Sequence, residues 1–307
     1  MSIFDDLQPV NPDVFYQRND PNDVRLGEVV MTEQSDYASA EFVLIGCPQD
    51  DGVQRNKGRI GAAAAPAAIR RALYKLVAPA NVSLFDAGNT RIQPSLEETH
   101  TVHTGIIRQM IADGKRIISL GGGNDVSYAD CAGLAEASET VLALNIDAHF
   151  DVRADEVRNS GTPYRQLLEE GLIQPDMFYE VGSLPMSNST IYRDYLLHKG
   201  AHIIDLFSLK AHGINTVFDK ILATDTSAIF WGLDMDVVNV AHAPGVSAIN
   251  VLGLSAGEFC QIAAIAGADK RSRIFEITEV NPVYDIDDRT ARLAGAAIYH
   301  FLSQSII

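Results

Sequence analysis

Along the chain, short apolar runs alternate with longer stretches in which apolar and polar positions recur at helical spacing. The apolar runs are "EFVLIGC" (41–47), "VSLFD" (82–86), "RIISL" (116–120), "TVLALNID" (140–147), "MFYEVG" (177–182), "AHIIDL" (201–206), "SAIFWGLDMD" (227–236) and "RIFEITEV" (273–280). Several carry almost no polar residue, the pattern of parallel strands covered on both faces. Between them, "APAAIRRALYKL" (65–76), "VHTGIIRQMIADG" (102–114) and "DDRTARLAGAAIYHFLSQ" (287–304) read as helices. No internal repeat, low-complexity tract or Pro/Ser-rich linker divides the chain. The alternation predicts a single α/β domain over residues 1–307, with a central, mainly parallel eight-stranded sheet between helix layers.

In such sheets functional groups sit just beyond the carboxyl ends of the strands. Four of these ends are dense in polar residues: "GGGNDVSY" (121–128), "DAHFDVR" (147–153), "DMDVVN" (234–239) and "EVNPVYDIDDRT" (279–290). Asp147, His149 and Asp151 fall at every second position, so strand alternation aims all three to one side. Asp234 and Asp236 repeat the device on a second strand. Carboxylates converging in a partly dry site repel one another unless cations join them. An oxygen-rich set with one imidazole suits Mn²⁺ or a similar borderline-hard ion better than a structural Zn²⁺. Taken alone, each Asp-x-Asp is more often a turn or helix cap, and Gly121–Gly123 a tight turn that does not match a dinucleotide-binding loop. It is the coincidence of four clusters that argues for a metal centre.

Composition narrows the partners. The 307 residues carry a net charge of −16, which disfavours nucleic acid or an anionic membrane surface. Cys47, Cys131 and Cys260 share no close spacing and form neither a disulfide framework nor a zinc motif, which fits a reducing cytoplasm. The opening "MSIFDDLQPVNPDV" has no basic segment followed by an apolar core, and no apolar run approaches the ~20 residues a membrane span needs. A small-molecule substrate is the expected partner, and assembly into a homo-oligomer is left open.

"NIDAHFDVR", "GLDMD" and "EITEVNP" resemble the three signature segments of the ureohydrolase (arginase–agmatinase–formimidoylglutamase) family. The likeness is greatest to the formimidoylglutamase branch, through "DDGVQRNKGRIGAAAAPAAIRRAL" (50–73), "RNSGTPYRQLLEEG" (158–171), "AHAPGVSAINVLGL" (241–254) and "YDIDDRTARLAGAAI" (284–298). It covers the chain from about residue 25 to the C-terminus. The resemblance implies an arginase-like three-layer α/β/α fold and two Mn²⁺ ions per subunit with a hydroxide held between them. Carried over motif by motif, Asp147 and Asp234 bridge the ions. Asp151 binds one and takes a hydrogen bond from the hydroxide; His149 and Asp236 complete the other. Glu279 matches the family carboxylate that faces a cationic amidine or guanidinium, which makes Asp151 and Glu279 the expected catalytic residues.

Two positions depart from the arginase pattern. Asn124 stands where the family usually has a histidine ligand, so the nearer Mn²⁺ is expected to be held more loosely. Asp125, one residue out of register, is expected to be an acceptor behind the ligands. Tyr164 stands near the place of an arginase histidine; the formimidoylglutamase branch commonly has an aromatic residue there. Tyr164 and Ser160 are expected to face substrate. The two carboxylates of a glutamate moiety suit arginine forks, for which Arg55, Arg59 and Arg153 are the candidates. The expected reaction is hydrolysis of N-formimidoyl-L-glutamate to L-glutamate and formamide, a step of histidine breakdown. Two alternatives stay open: a sister enzyme acting on a guanidino compound, as agmatinase or guanidinobutyrase does, and a metal-poor, non-catalytic family member.

Overall fold

All eight apolar runs form strands in the computed structural model, which describes residues 2–304. A ninth strand joins them at the sheet edge. In chain order they are β1 (Leu7–Gln8), β2 (Phe42–Gly46), β3 (Leu84–Thr90), β4 (Arg116–Leu120), β5 (Val141–Ile146), β6 (Phe178–Val181), β7 (His202–Ile204), β8 (Ala228–Asp234) and β9 (Ser272–Thr278). The spatial order is β1-β3-β2-β4-β9-β8-β5-β6-β7. Every pair is parallel except β1 with β3, where Leu7 faces Thr90. The expectation of eight strands is therefore one short, because two residues are too few to show a period.

Two other boundaries differ from the expected ones for local reasons. β3 runs on through the polar "DAGNT" because its polar groups are paired inside: Arg70 donates to both oxygens of Asp86 at 2.8 and 2.9 Å and to Asn89 Oδ1 at 2.8 Å. The helix expected from residue 102 begins at Leu96. There Ser95 and Glu98 form a reciprocal cap, Glu98 N donating to Ser95 Oγ at 3.2 Å and Ser95 N to Glu98 Oε2 at 3.1 Å. Its polar first turn hides the apolar stripe that follows.

Strand alternation divides the core between the two faces of the sheet. Leu44, Ile118, Leu144, Trp231 and Phe275 pack one face against helices Ala65–Leu73, Ala256–Ala268 and Arg289–Gln304. Ile45, Ile117, Ala143, Phe230 and Ile274 pack the other against Leu96–Ala112, Val126–Glu136 and Pro163–Glu169. On this second face the row next to the carboxyl ends turns polar. Ser119, Glu276, Gly232, Asn145 and Glu180 are register partners across β4, β9, β8, β5 and β6, and the four polar ones are fully buried. The next residues on that face lead into the polar clusters noted above.

Candidate metal centre and active site

The strands that carry the clusters, β4, β9, β8 and β5, are consecutive neighbours, so their carboxyl ends empty into one place. Asp147 continues the β5 ladder, its N–H donating to Val181 O at 3.1 Å. One of its carboxylate oxygens, Oδ1, accepts from His149 N at 2.7 Å. Asp234 does the same on β8, its Oδ1 accepting from Asp236 N at 2.8 Å. Each aspartate thus forms the local turn with one oxygen and keeps the other for a further partner, so the turn-forming and ligating readings hold together. Asp151 and Glu279 have φ of +48° and +61°. Such left-handed backbone costs a non-glycine residue about 1 kcal/mol or more, and is characteristic of positions held for function.

The side chains converge. Asp147, His149 and Asp236 offer ligand atoms within 4.8 Å of one another, and so do Asp147, Asp151 and Asp234. Asp147 belongs to both groups, the arrangement of two adjacent cation sites with a shared carboxylate. His149 Nδ1 lies 3.0 Å from Asp236 Oδ2 and 3.4 Å from Asp147 Oδ1. Without cations these groups burden one another. Burial, then the charge of Asp236, raises the Asp147 carboxyl to about 6. Burial, then Asp147, raises Asp151 to about 7. Asp234 is raised by burial and by Asp236 and Asp147, while Asp236 above all holds a proton on His149. Buried Asp236 Oδ1 and Glu279 Oε2 have no hydrogen-bond partner. A set of crowded carboxylates with orphaned oxygens and one imidazole fits two divalent cations of Mn²⁺ type.

Behind the ligands, the floor is held in detail. Asn124 N–H donates to Glu279 Oε1 at 2.9 Å, which fixes that carboxylate and leaves Oε2 without a partner. Burial raises Glu279 well above the usual carboxylate range, and Asp236 and Asp125 add to this. The Asn124 amide turns its nitrogen, not its oxygen, to the carboxylates: Nδ2 is 2.6 Å from Asp151 Oδ2 and 3.4 Å from Asp147 Oδ2. Its oxygen accepts from Ser127 Oγ and Thr278 Oγ1, both at 2.8 Å. Asp125 faces away from the ligands, accepting from Gln49 Nε2 at 2.5 Å and pairing with His100 Nε2 at 2.8 Å.

The centre opens into a cavity of about 540 Å³ whose walls include Asn124, His149, Asp151, Asp234, Asp236 and Glu279. Arg153 and Ser160 line it, with Asn56 Nδ2 donating to Ser160 Oγ at 3.0 Å. Arg59 lines it too, but its guanidinium donates to Ser247 O at 2.9 Å and to Val246 O and lies over the Tyr284 ring. Two residues expected to face substrate lie elsewhere. Arg55 is off the cavity, paired with Glu97 at 2.5 and 3.2 Å and donating to Arg158 O at 3.0 Å. Tyr164 is fully buried in the core, stacked on Phe178. Its hydroxyl occupies the space that a Cβ on Gly232 would fill. Lys57, Tyr192, Ser189 and Ser247 line the cavity although no motif singles them out. Lys57 lies in the basic loop "QRNKGR", within the segment 50–73.

An arginase-like α/β fold with this carboxylate–imidazole centre at adjacent strand ends defines the class, and the chain belongs to the arginase family, whose model matches residues 40–303. It is 34% identical over 280 residues to the formimidoylglutamase of Rhodococcus jostii, covering 86% of each chain. It is 35% identical over 266 residues to that of Staphylococcus aureus, covering 84% of this chain and 85% of that one. Among solved structures, formiminoglutamase of Trypanosoma cruzi with Mn²⁺ superposes with a TM-score of 0.87 at 29% identity, over 92% of this chain and 98% of that one. Formimidoylglutamase of Bacillus subtilis gives 0.88 at 27% identity, over 94% of each.

Proposed function

We propose that this protein is a manganese-dependent hydrolase, a single-domain enzyme that cleaves N-formimidoyl-L-glutamate into L-glutamate and formamide. The observation that carries this reading is the joint geometry of one cavity. Two overlapping ligand groups share Asp147, Glu279 in the lining keeps an unpartnered oxygen, and cationic side chains stand on the wall. Asp147, Asp234, Asp151, His149 and Asp236 hold the two ions; when bound, these lower the pKa of water towards neutrality and supply the nucleophile. Ligation by Asn124 requires its amide to turn over, since its oxygen now accepts from Ser127 and Thr278.

Glu279 binds the cationic amidine through Oε2, pre-set by the Asn124 N–H on its other oxygen. Asp151 holds the proton released as water adds to the amidine carbon and passes it to the substituted nitrogen. The bond from carbon to the glutamate nitrogen then breaks, giving formamide and the free amine of glutamate. At the far end, Arg153 and Lys57 pair with the two carboxylates and the hydroxyls of Ser160 and Ser247 support them. Arg59, spent on backbone carbonyls, shapes the wall instead. A substrate without carboxylates gains nothing from this wall, which speaks against agmatine.

With formimidoylglutamate as substrate, the reaction would be a step of histidine breakdown. Three free cysteines, Cys47, Cys131 and Cys260, suit a reducing cytoplasm. No helix among the described residues is long and apolar enough to cross a membrane. Formimidoylglutamate, arginine, agmatine and guanidinobutyrate, each offered to the Mn²⁺-loaded protein, test the assignment. Formamide from the first alone is the expected result, and urea from any of the other three overturns it.

A further inference from the structure

We infer that Arg158 and His100 are positioning residues that rivet the substrate-facing loop 153–161 to the floor of the active site, an inference that rests on the proposed function. The loop has no helix or strand of its own and carries Arg153 and Ser160 into the cavity. On its inner side it is tied by Ser160 N to Gly52 O at 3.1 Å and closed on itself by Arg153 N to Gly161 O at 2.8 Å. Its outer tie is Arg158. The guanidinium lies 3.8 Å from the centre of the Tyr128 ring, and Nη1 is 3.2 Å from His100 Nδ1.

His100, on helix Leu96–Ala112, is fully buried. Arginine has donors only, so Nδ1 must accept and the ring proton sits on Nε2. That proton is donated to Asp125 Oδ2 at 2.8 Å. Asp125 in turn is seated against two glycines: a Cβ on Gly52 would fall 1.9 Å from Asp125 Oδ1, and one on Gly123 2.6 Å from it. The next residue back is Asn124, whose N–H holds Glu279. One unbroken path therefore runs from the loop that recognises the far end of substrate to the floor that holds its amidine. Arg55 supports the outer tie through Arg158 O, which gives that arginine a place in the account without contact to the cavity. Because neither Arg158 nor His100 belongs to the ligand set, loosening the rivet should blur substrate placement and leave the metal centre alone.

Arg158→Met removes the donor and the charge at similar length; Arg158→Lys keeps a donor and a cation. For Arg158→Met, KM for formimidoylglutamate should rise about tenfold, the scale of one lost hydrogen bond to a charged group. The same variant should keep kcat within about twofold and Mn²⁺ affinity by calorimetry unchanged, and its melting curve should show a folded protein lowered only by a few degrees, since the buried His100 Nδ1 loses its donor while no ligand changes. Arg158→Lys should recover part of the KM, and amide hydrogen exchange should quicken across 153–161 in Arg158→Met and less in Arg158→Lys. Unchanged KM with unchanged exchange overturns the inference, as does a fall in kcat or Mn²⁺ affinity at constant KM. If the unmodified protein turns over no formimidoylglutamate, the functional proposal fails by itself, and the exchange comparison still decides whether the rivet exists.

Discussion

Removing the cations should make the protein's stability and its metal affinity depend on pH in a direction the site dictates. Asp147 moves from an ordinary 3.8 to about 6 and Asp151 from 3.8 to about 7, in both cases first through burial. At about 1.4 kcal/mol per tenfold change in proton affinity, ionising them in the folded, metal-free protein costs about 3 and about 4 kcal/mol, and mutual coupling makes the sum less than additive. A raised carboxyl stabilises the folded state fully below its unfolded value, and that contribution is lost as pH rises through its folded value. Metal-free protein should therefore lose stability from about pH 4 to about pH 7. His149, raised chiefly by Asp236, works in the same direction above about pH 6.5, the ordinary histidine value. At roughly 2 °C per kcal/mol, the Asp147 share alone amounts to about 6 °C of melting temperature. Saturating Mn²⁺ should abolish this decline. Binding must displace the His149 proton and, near neutrality, part of that on Asp151, so Mn²⁺ affinity should climb at least about tenfold per pH unit between about pH 6 and pH 8. Calorimetric titration of chelator-treated protein, in buffers of different ionisation enthalpy, counts the protons released. A pH-independent affinity with no proton release would refute the reasoning.

Glu279→Gln and Asp151→Asn should each cut turnover by about 10³-fold or more with melting curves showing a folded protein; near-native kcat in either removes the role assigned to it. Of the two, only Asp151→Asn should also weaken Mn²⁺ binding, which calorimetry separates. Asn124→His should tighten the ion beside Asp151 about 10- to 100-fold, on the scale of changes around metal ligands, and Asn124→Ala should loosen it. Full activity of Asn124→Ala without added Mn²⁺ would exclude Asn124 from the centre. Arg153→Met should raise KM for formimidoylglutamate about tenfold or more with little change in kcat, and an unchanged KM would transfer substrate recognition to Lys57.

The strands were legible because each is long enough for its apolar pattern to stand out, whereas Leu7–Gln8 is recognisable only by its pairing with β3. That the candidate ligands meet was legible from their places just after two parallel strands, but not how they meet: Asp147, His149 and Asp151 lie beyond β5 and Asp236 beyond β8, in turns rather than in strand alternation. The orientation of the Asn124 amide was not legible either, since it depends on Ser127, three residues along a helix, and on Thr278, on another strand. Tyr164 sits six residues from Arg158 and four from Ser160 in sequence, yet its ring lies in the core, because helix Pro163–Glu169 turns its apolar side to the sheet. Arg55 and Arg59 look alike in a basic loop; only the fold shows that one meets Glu97 and the other backbone carbonyls. Residues whose place is set by the strand they follow were readable, and those whose place is set by a distant partner were not.

The most direct test of the central claim is formamide release from formimidoylglutamate by chelator-treated protein as Mn²⁺ is added back. The account predicts no turnover without metal, a rise that saturates at two ions per chain, and one glutamate formed for each formamide. Turnover that persists in the chelated protein, or that saturates at a single ion, would contradict it.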